Sequence, residues 1–107
     1  MSRVFAPTSR HARFDLADVR RFGDVVYAAE DAPSAFATDE LMAHFADELA
    51  GFDPESDHIA MTGKAIDVAL FVAVALQLFS EVRALLYDAR SGYQERVLRR
   101  VGARSEA

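Results

Sequence analysis

Apolar and polar positions fall into short blocks along this chain, and the period changes from block to block. Arg3-Val4-Phe5-Ala6 reads as a short strand, ended by Pro7 because proline has no amide proton to give a ladder. Thr8-Ser9-Arg10-His11 follows as a polar loop. Leu16, Val19 and Phe22 then recur at helical spacing, with Asp15 placed to cap a short helix and Gly23 placed to end it in a left-handed residue. Val25-Val26-Tyr27-Ala28 reads as a second strand, and Glu30-Asp31-Ala32-Pro33-Ser34 as a loop.

The next block is a helix by its end signals. Thr38 is the N-cap candidate, Asp39 and Glu40 sit in the first turn where the helix dipole favours negative charge, and Gly51 stands past the last periodic residue. Leu41, Phe45 and Leu49 lie four apart and form one apolar face, so this helix is expected on a sheet with an acidic outer face that includes a solvated His44. Phe52-Asp53-Pro54-Glu55-Ser56 is a turn into a third strand, His58-Ile59-Ala60-Met61.

After the turn Thr62-Gly63-Lys64, residues 65–79 are apolar on every side of a helix, which implies burial on more than one face. Asp67 and Gln77 cut the run well short of the roughly 20 apolar residues of a membrane span. Two environments fit it: a central helix covered by the sheet and its neighbours, or a helix that also lies in a homodimer interface. Residues 82–87 read as a strand, Asp88-Ala89-Arg90-Ser91-Gly92 as a hairpin loop whose glycine takes positive φ, and residues 93–98 as the antiparallel return.

The order β-α-β-α-β-α-β-β predicts an α/β fold: a small Rossmann-like three-layer domain with a mainly parallel sheet and an antiparallel C-terminal hairpin strand. Residues 1–98 are expected to form a single domain and residues 99–107 a frayed tail. A chain of 107 residues is one domain with a modest core, and 51% hydrophobic against 27% charged residues excludes wholesale disorder. There is no cysteine, hence no disulfide framework and no thiolate ligand or nucleophile. The first residues carry no apolar stretch of signal-peptide length, so the expected compartment is the cytoplasm.

The net charge of −5 is segregated. Residues 24–58 carry ten carboxylates and no Lys or Arg, residues 1–22 carry five Arg against two Asp, and residues 82–107 carry six Arg against three acids. One reading pairs the acidic middle with the basic ends inside the fold. The other gathers the termini, with Arg99, Arg100 and Arg104, into a patch for an anionic partner.

In a parallel sheet the loops after the strands share one edge. That edge collects Ser9, Arg10 and His11, then Thr62, Gly63 and Lys64, then Asp88, with Glu30 and Asp31 behind the second strand. Hydroxyls, two arginines with Arg90, the one lysine, a histidine and an aspartate together suit an anionic or nucleotide-like ligand. Gly63 would admit a ligand to the backbone, the following helix would present free amides, and Lys64 would add a point charge. The segment lacks the spacing of a phosphate-binding P-loop and the triple-glycine dinucleotide fingerprint. A purely structural role is the competing reading, with Gly63 making the turn and Thr62 capping the helix. Asp67, one turn in, either caps that turn or approaches a ligand. His11, His44 and His58 have no spacing suited to a metal, and Ser9, Ser80 and Ser91 lie in no nucleophile elbow. No cofactor is called for.

The run Ile59-Ala60-Met61-Thr62-Gly63-Lys64, the helix of small and apolar residues after it, and Leu85-Leu86-Tyr87-Asp88 followed by Tyr93 resemble the later part of CRISPR-associated Rossmann-like sensor domains. Those domains bind cyclic oligoadenylates and place a Thr-Gly-Gly-Thr-Lys type turn at this point. The chain carries a shortened version, with one glycine and no second hydroxyl. The resemblance implies ligand contacts at Thr62, Gly63 and Lys64, with Ser9 or Arg10 in the counterpart loop.

Three functions are therefore expected to compete. The first is a cytoplasmic, dimeric Rossmann-like domain that holds a nucleotide or other anionic small molecule at the strand ends. The second is a non-enzymatic protein-interaction or accessory factor, from a mobile element or host-defence system, that acts through its apolar helix or acidic face. The third is a small nucleotide-cleaving enzyme using His11 or Arg10.

Overall fold

The computed structural model describes residues 2–102. Its elements are β1 (Arg3–Ala6), a 3-10 helix (Ala17–Phe22), β2 (Asp24–Tyr27), α1 (Thr38–Glu48) continued by a 3-10 turn (Leu49–Gly51), β3 (His58–Ala60), α2 (Ala65–Leu78), β4 (Glu81–Asp88) and β5 (Gly92–Arg99). The five strands form one sheet in the order β2-β1-β3-β4-β5, parallel except for the β4–β5 hairpin. The fold is thus α/β with a mainly parallel sheet and an antiparallel last strand, in a common doubly wound strand order.

Crossovers between parallel strands are right-handed, so a connection that steps one way across the sheet and one that steps the other way lie on opposite faces. The β1–β2 connection steps one way and carries the 3-10 helix. The other two step back and carry α1 and α2. Side-chain alternation matches this division. Phe5, Ile59 and Val82 pack with Leu41, Phe45, Phe71 and Val74 of the two α-helices, whereas Val4, Ala6, Ala60 and Leu85 pack with Leu16 and Val19. In the first cluster Phe45 meets Phe71 edge to face at 5.0 Å and Phe5 meets Phe52 at 5.2 Å. Such pairs add stabilisation beyond the area they bury.

Charge pairing across the fold favours the first reading of the segregated sequence. The buried Asp57 carboxylate accepts the Arg3 amide at 2.9 Å and the Asp53 amide at 2.8 Å, and the Arg3 guanidinium approaches it to 3.3 Å. That guanidinium also donates to the Gly51 carbonyl. Arg10 pairs with Glu30 of the acidic middle, whereas Arg99 pairs with Glu81, which lies outside it. Arg104 lies outside the described residues.

Several local expectations are corrected. Ala37, not Thr38, is the N-cap of α1, because the Thr38 hydroxyl turns back to donate to the Ala35 carbonyl at 2.7 Å. His44 is half-buried rather than solvated, its Nε2 2.9 Å from the Ala28 carbonyl oxygen. The helix after Gly63 is not covered on all sides. Phe71, Val74 and Ala75 are buried, but Ala69 and Ala73 are exposed and Ile66 and Leu78 are half exposed, since only α1 lies beside α2 on that face of the sheet. The start of the expected frayed tail is held: Arg99 belongs to β5, the Arg100 amide donates to the Ser80 carbonyl, and its guanidinium donates to the Leu76 carbonyl. The rest of that tail, residues 103–107, lies outside the described residues. Among those described, no helix is long and apolar enough to cross a membrane.

Candidate functional site

β1 and β3 are neighbours, yet the chain leaves β1 towards β2 and leaves β3 towards β4 on the other side. The loops after these two strands therefore part from one another, and a crevice opens where the strand order reverses. How closely the loops approach is set by Gly63. Its φ is +152°, and a Cβ there would stand 2.6 Å from the Pro7 carbonyl oxygen and 3.5 Å from Val68 Cγ2. Only glycine lets the loop after β3 lie against the loop after β1 in this way.

Two cavities flank this contact. The first, about 410 Å³, is lined by Thr8, Ser9, Ser34, Lys64 and Asp67, with apolar walls from Phe14, Leu41 and Ile66. Lys64 occupies the N-cap position of α2 in an extended conformation, so the side chain and the first free amides of the helix belong to one neighbourhood. The second cavity, about 390 Å³, is lined by Arg13, Asp15, Asp18, Thr62, Tyr87 and Tyr93, together with Gly63. Phe14 lines both.

The candidate residues are thus divided between two places. Ser9 and Lys64 reach the first cavity, and Thr62 and Gly63 reach the second. Arg10 is committed elsewhere: its amide donates to Glu30 at 3.0 Å, its Nε lies 3.3 Å from the same carboxylate, and its guanidinium stacks 5.1 Å from the Tyr27 ring. His11 is exposed and lines neither cavity. Asp88 is also apart from both. Ala60, the last residue of β3, pairs with Leu85, so β4 runs three residues further and carries Asp88 on the order of 10 Å beyond the loop. There its Oδ1 accepts the Arg90 amide and serves the hairpin turn.

The Thr62 hydroxyl does not cap α2. It shares a 2.7 Å hydrogen bond with the Tyr93 hydroxyl, which ties the loop after β3 to β5 across the intervening strand. Tyr93 is buried while Tyr87 is 61% exposed, and their rings meet at 5.3 Å and 64°. The register places these tyrosines directly opposite each other. Sequence reasoning missed this pair as a wall of the site, although the hairpin loop lies symmetrically between the two residues and thereby signals their pairing. It also missed Phe14 and the two carboxylates of the second cavity. Asp15 Oδ1 accepts the Ala17 amide at 2.9 Å in a turn that precedes the 3-10 helix, but Leu16, not Asp15, is the N-cap and no side chain caps this helix, so the expected Asp15 cap is corrected.

His58 is buried on the 3-10 helix side of the sheet, at the opposite end of β3. Neither ring nitrogen makes a hydrogen bond, Nε2 lies 3.4 Å from Glu95 Oε1, and the ring packs 5.5 Å from Phe22. Among the described residues no group of three His, Asp or Glu side chains is arranged to hold a metal ion.

Fold and crevice together define a small α/β domain with twin cavities at the reversal of its strand order. A family model described as Phage Pam3 gp32-like protein matches residues 2–99, and the chain belongs to that family. No curated protein and no solved structure matches the chain.

Proposed function

We propose that this phage-family protein is a small binding domain that holds an anionic, nucleotide-like ligand in the first cavity. The observation that carries the reading is the position of Lys64. The one lysine of the chain lines a cavity at the reversal of strand order, beside the Thr8, Ser9 and Ser34 side chains and the amino end of α2. A cation, hydroxyl donors and helix amides at one place attract a phosphate or carboxylate. The likeness of the Thr62-Gly63-Lys64 turn to that of CRISPR-associated sensor domains points the same way. Asp67 also lines this cavity, which disfavours a highly charged anion and favours a monoanion or a ligand that brings its own hydrogen-bond donors. Cytoplasmic location and a homodimer built on the exposed side of α2 are parts of the same proposal.

A thermal-shift comparison of the parent and Lys64→Ala proteins with phosphate, nucleoside monophosphates and cyclic oligonucleotides tests it. Stabilisation of the parent and its loss in Lys64→Ala is the expected result. An unchanged melting temperature with every compound rejects the reading.

A second reading is favoured by the family match and by exposed apolar side chains. Phe36 is 101% exposed, and Phe14 and Ile66 border the same cavity at 41% and 51%. In that reading the protein is a phage accessory factor whose apolar rim docks a protein. Lys64→Ala would then leave docking intact, whereas Phe36→Asp would weaken it.

A further inference from the structure

We infer that the second cavity, walled by Tyr87, Tyr93 and Phe14, is a subsite for a planar heteroaromatic ring of the nucleobase type. The inference rests on the anion-binding reading of the first cavity for the other end of the ligand, and names the class of ligand as a nucleotide that bridges the two.

Three observations carry it. The walls are aromatic and accessible: Tyr87 is 61% and Phe14 41% exposed. Aromatic faces open to solvent stack bases regardless of their identity. Next, the corner made by the tyrosines is held in place. The Tyr93 hydroxyl is bonded to Thr62 at 2.7 Å, and the Tyr87 ring rests on that of Tyr93 at 5.3 Å. A ring entering here meets a wall that needs no reordering, which lowers the entropy cost of binding. Finally, the charges separate the two ends of such a ligand. Asp15 and Asp18 line the second cavity and disfavour a phosphate there, while Lys64 lines the first. The same carboxylates accept hydrogen bonds from exocyclic amino groups.

The cavities adjoin. Gly63 lines one and Lys64 the other, and Phe14 lines both. A mononucleotide lying across Gly63 would put its base against Tyr87 and its phosphate at Lys64.

Three tyrosines and no tryptophan make tyrosine fluorescence a direct reporter, since two of the three line this cavity. The experiment titrates the full chain and its Tyr87→Ala and Lys64→Ala variants with AMP, CMP, adenosine and ribose 5-phosphate, following fluorescence and calorimetric affinity. Tyr87 is 61% exposed, and its ring contact with Tyr93 is what its truncation removes from the core. The expected result is that both nucleotides quench tyrosine emission and bind about tenfold tighter than ribose 5-phosphate. Tyr87→Ala should remove that advantage while leaving ribose 5-phosphate binding unchanged. Equal affinity for AMP and ribose 5-phosphate without quenching overturns the base subsite and leaves the anion reading standing. Quenching by adenosine with no response to ribose 5-phosphate supports the base subsite and overturns the anion reading. No response to any of the four overturns both.

Discussion

Gly63 and Pro7 touch across the point where the strand order reverses, and no side chain fits between them. A Cβ on Gly63 would lie 2.6 Å from the Pro7 carbonyl oxygen, at a φ of +152°. Gly63→Ala therefore combines backbone strain with a clash against main chain, and is expected to lose about 2 to 4 kcal/mol of stability. Gly92 also has positive φ, but nothing lies within 4 Å of a Cβ there, so Gly92→Ala should lose only about 1 kcal/mol. Urea denaturation of the two variants measures the difference, and equal losses would contradict it.

Asp57 is 1% exposed and accepts two main-chain amides besides the Arg3 guanidinium. Its removal strands those donors, so Asp57→Ala should lose about 3 to 5 kcal/mol. Arg3→Ala keeps the Arg3 amide and removes a guanidinium that is 40% exposed, so it should lose no more than about 1 kcal/mol. Chemical denaturation orders the two variants; a reversed order would mean that the guanidinium, not the amides, holds the carboxylate.

The hydrogen bond between Thr62 and Tyr93 is the one side-chain link from the loop after β3 to β5 identified at the site. Tyr93→Phe keeps the ring and should lose about 0.5 to 1.5 kcal/mol. If the bond is made as described, adding Thr62→Val costs little more, because both partners are then apolar. A double-mutant cycle read by thermal unfolding gives the coupling. Zero coupling would show that the two hydroxyls do not bond.

Asp53 supplies a pH dependence. The Glu55 amide, donating at 2.9 Å, holds the carboxyl below its ordinary value, and the Ser56 hydroxyl acts in the same direction. A folded-state value below the unfolded one means that the carboxylate contributes stability above the unfolded value and loses it as the pH falls through the folded one. Asp53→Asn keeps one oxygen to accept the Glu55 amide, turns its NH2 to donate to the Ser56 hydroxyl, and cannot titrate in this range. The stability of the parent relative to Asp53→Asn should be level at neutral pH and decline as the solution is made more acidic than the ordinary aspartate range. Denaturation midpoints across acidic pH measure this, and parallel profiles would refute it.

The exposed side of α2 gives a test of assembly. Ala73 is exposed at mid-helix. If a second copy packs there, Ala73→Glu should convert a dimer to a monomer by light scattering without lowering the monomer's own stability. A parent that is monomeric at high concentration removes the interface role of this helix.

The strands and helices were legible because each is marked locally. Proline follows β1, glycines follow the 3-10 helix and α1 and open β5, and apolar residues recur at the period of the element they build. The candidate site was legible only in part. Ser9, Thr62, Gly63 and Lys64 were found because a parallel sheet places loops after adjacent strands on one edge. Arg10, His11 and Asp88 were grouped with them for the same reason and line neither cavity. Glu30 captures Arg10, and the unequal lengths of β3 and β4 move Asp88 away. Neither strand length nor an ion pair twenty residues apart follows from local pattern.

Local chemistry alone therefore determined the order and type of the elements and the loops that close the sheet's upper rim, because turn residues and hydrophobic period act over a few positions of chain. Tertiary structure alone decided that this rim divides at Gly63 into a lysine cavity and a tyrosine cavity. That division depends on how far the loops after β1 and β3 approach, on the register that sets Tyr87 opposite Tyr93, and on which charges reach one another first. Those are distances between segments remote in sequence, and they exist only once the sheet has formed.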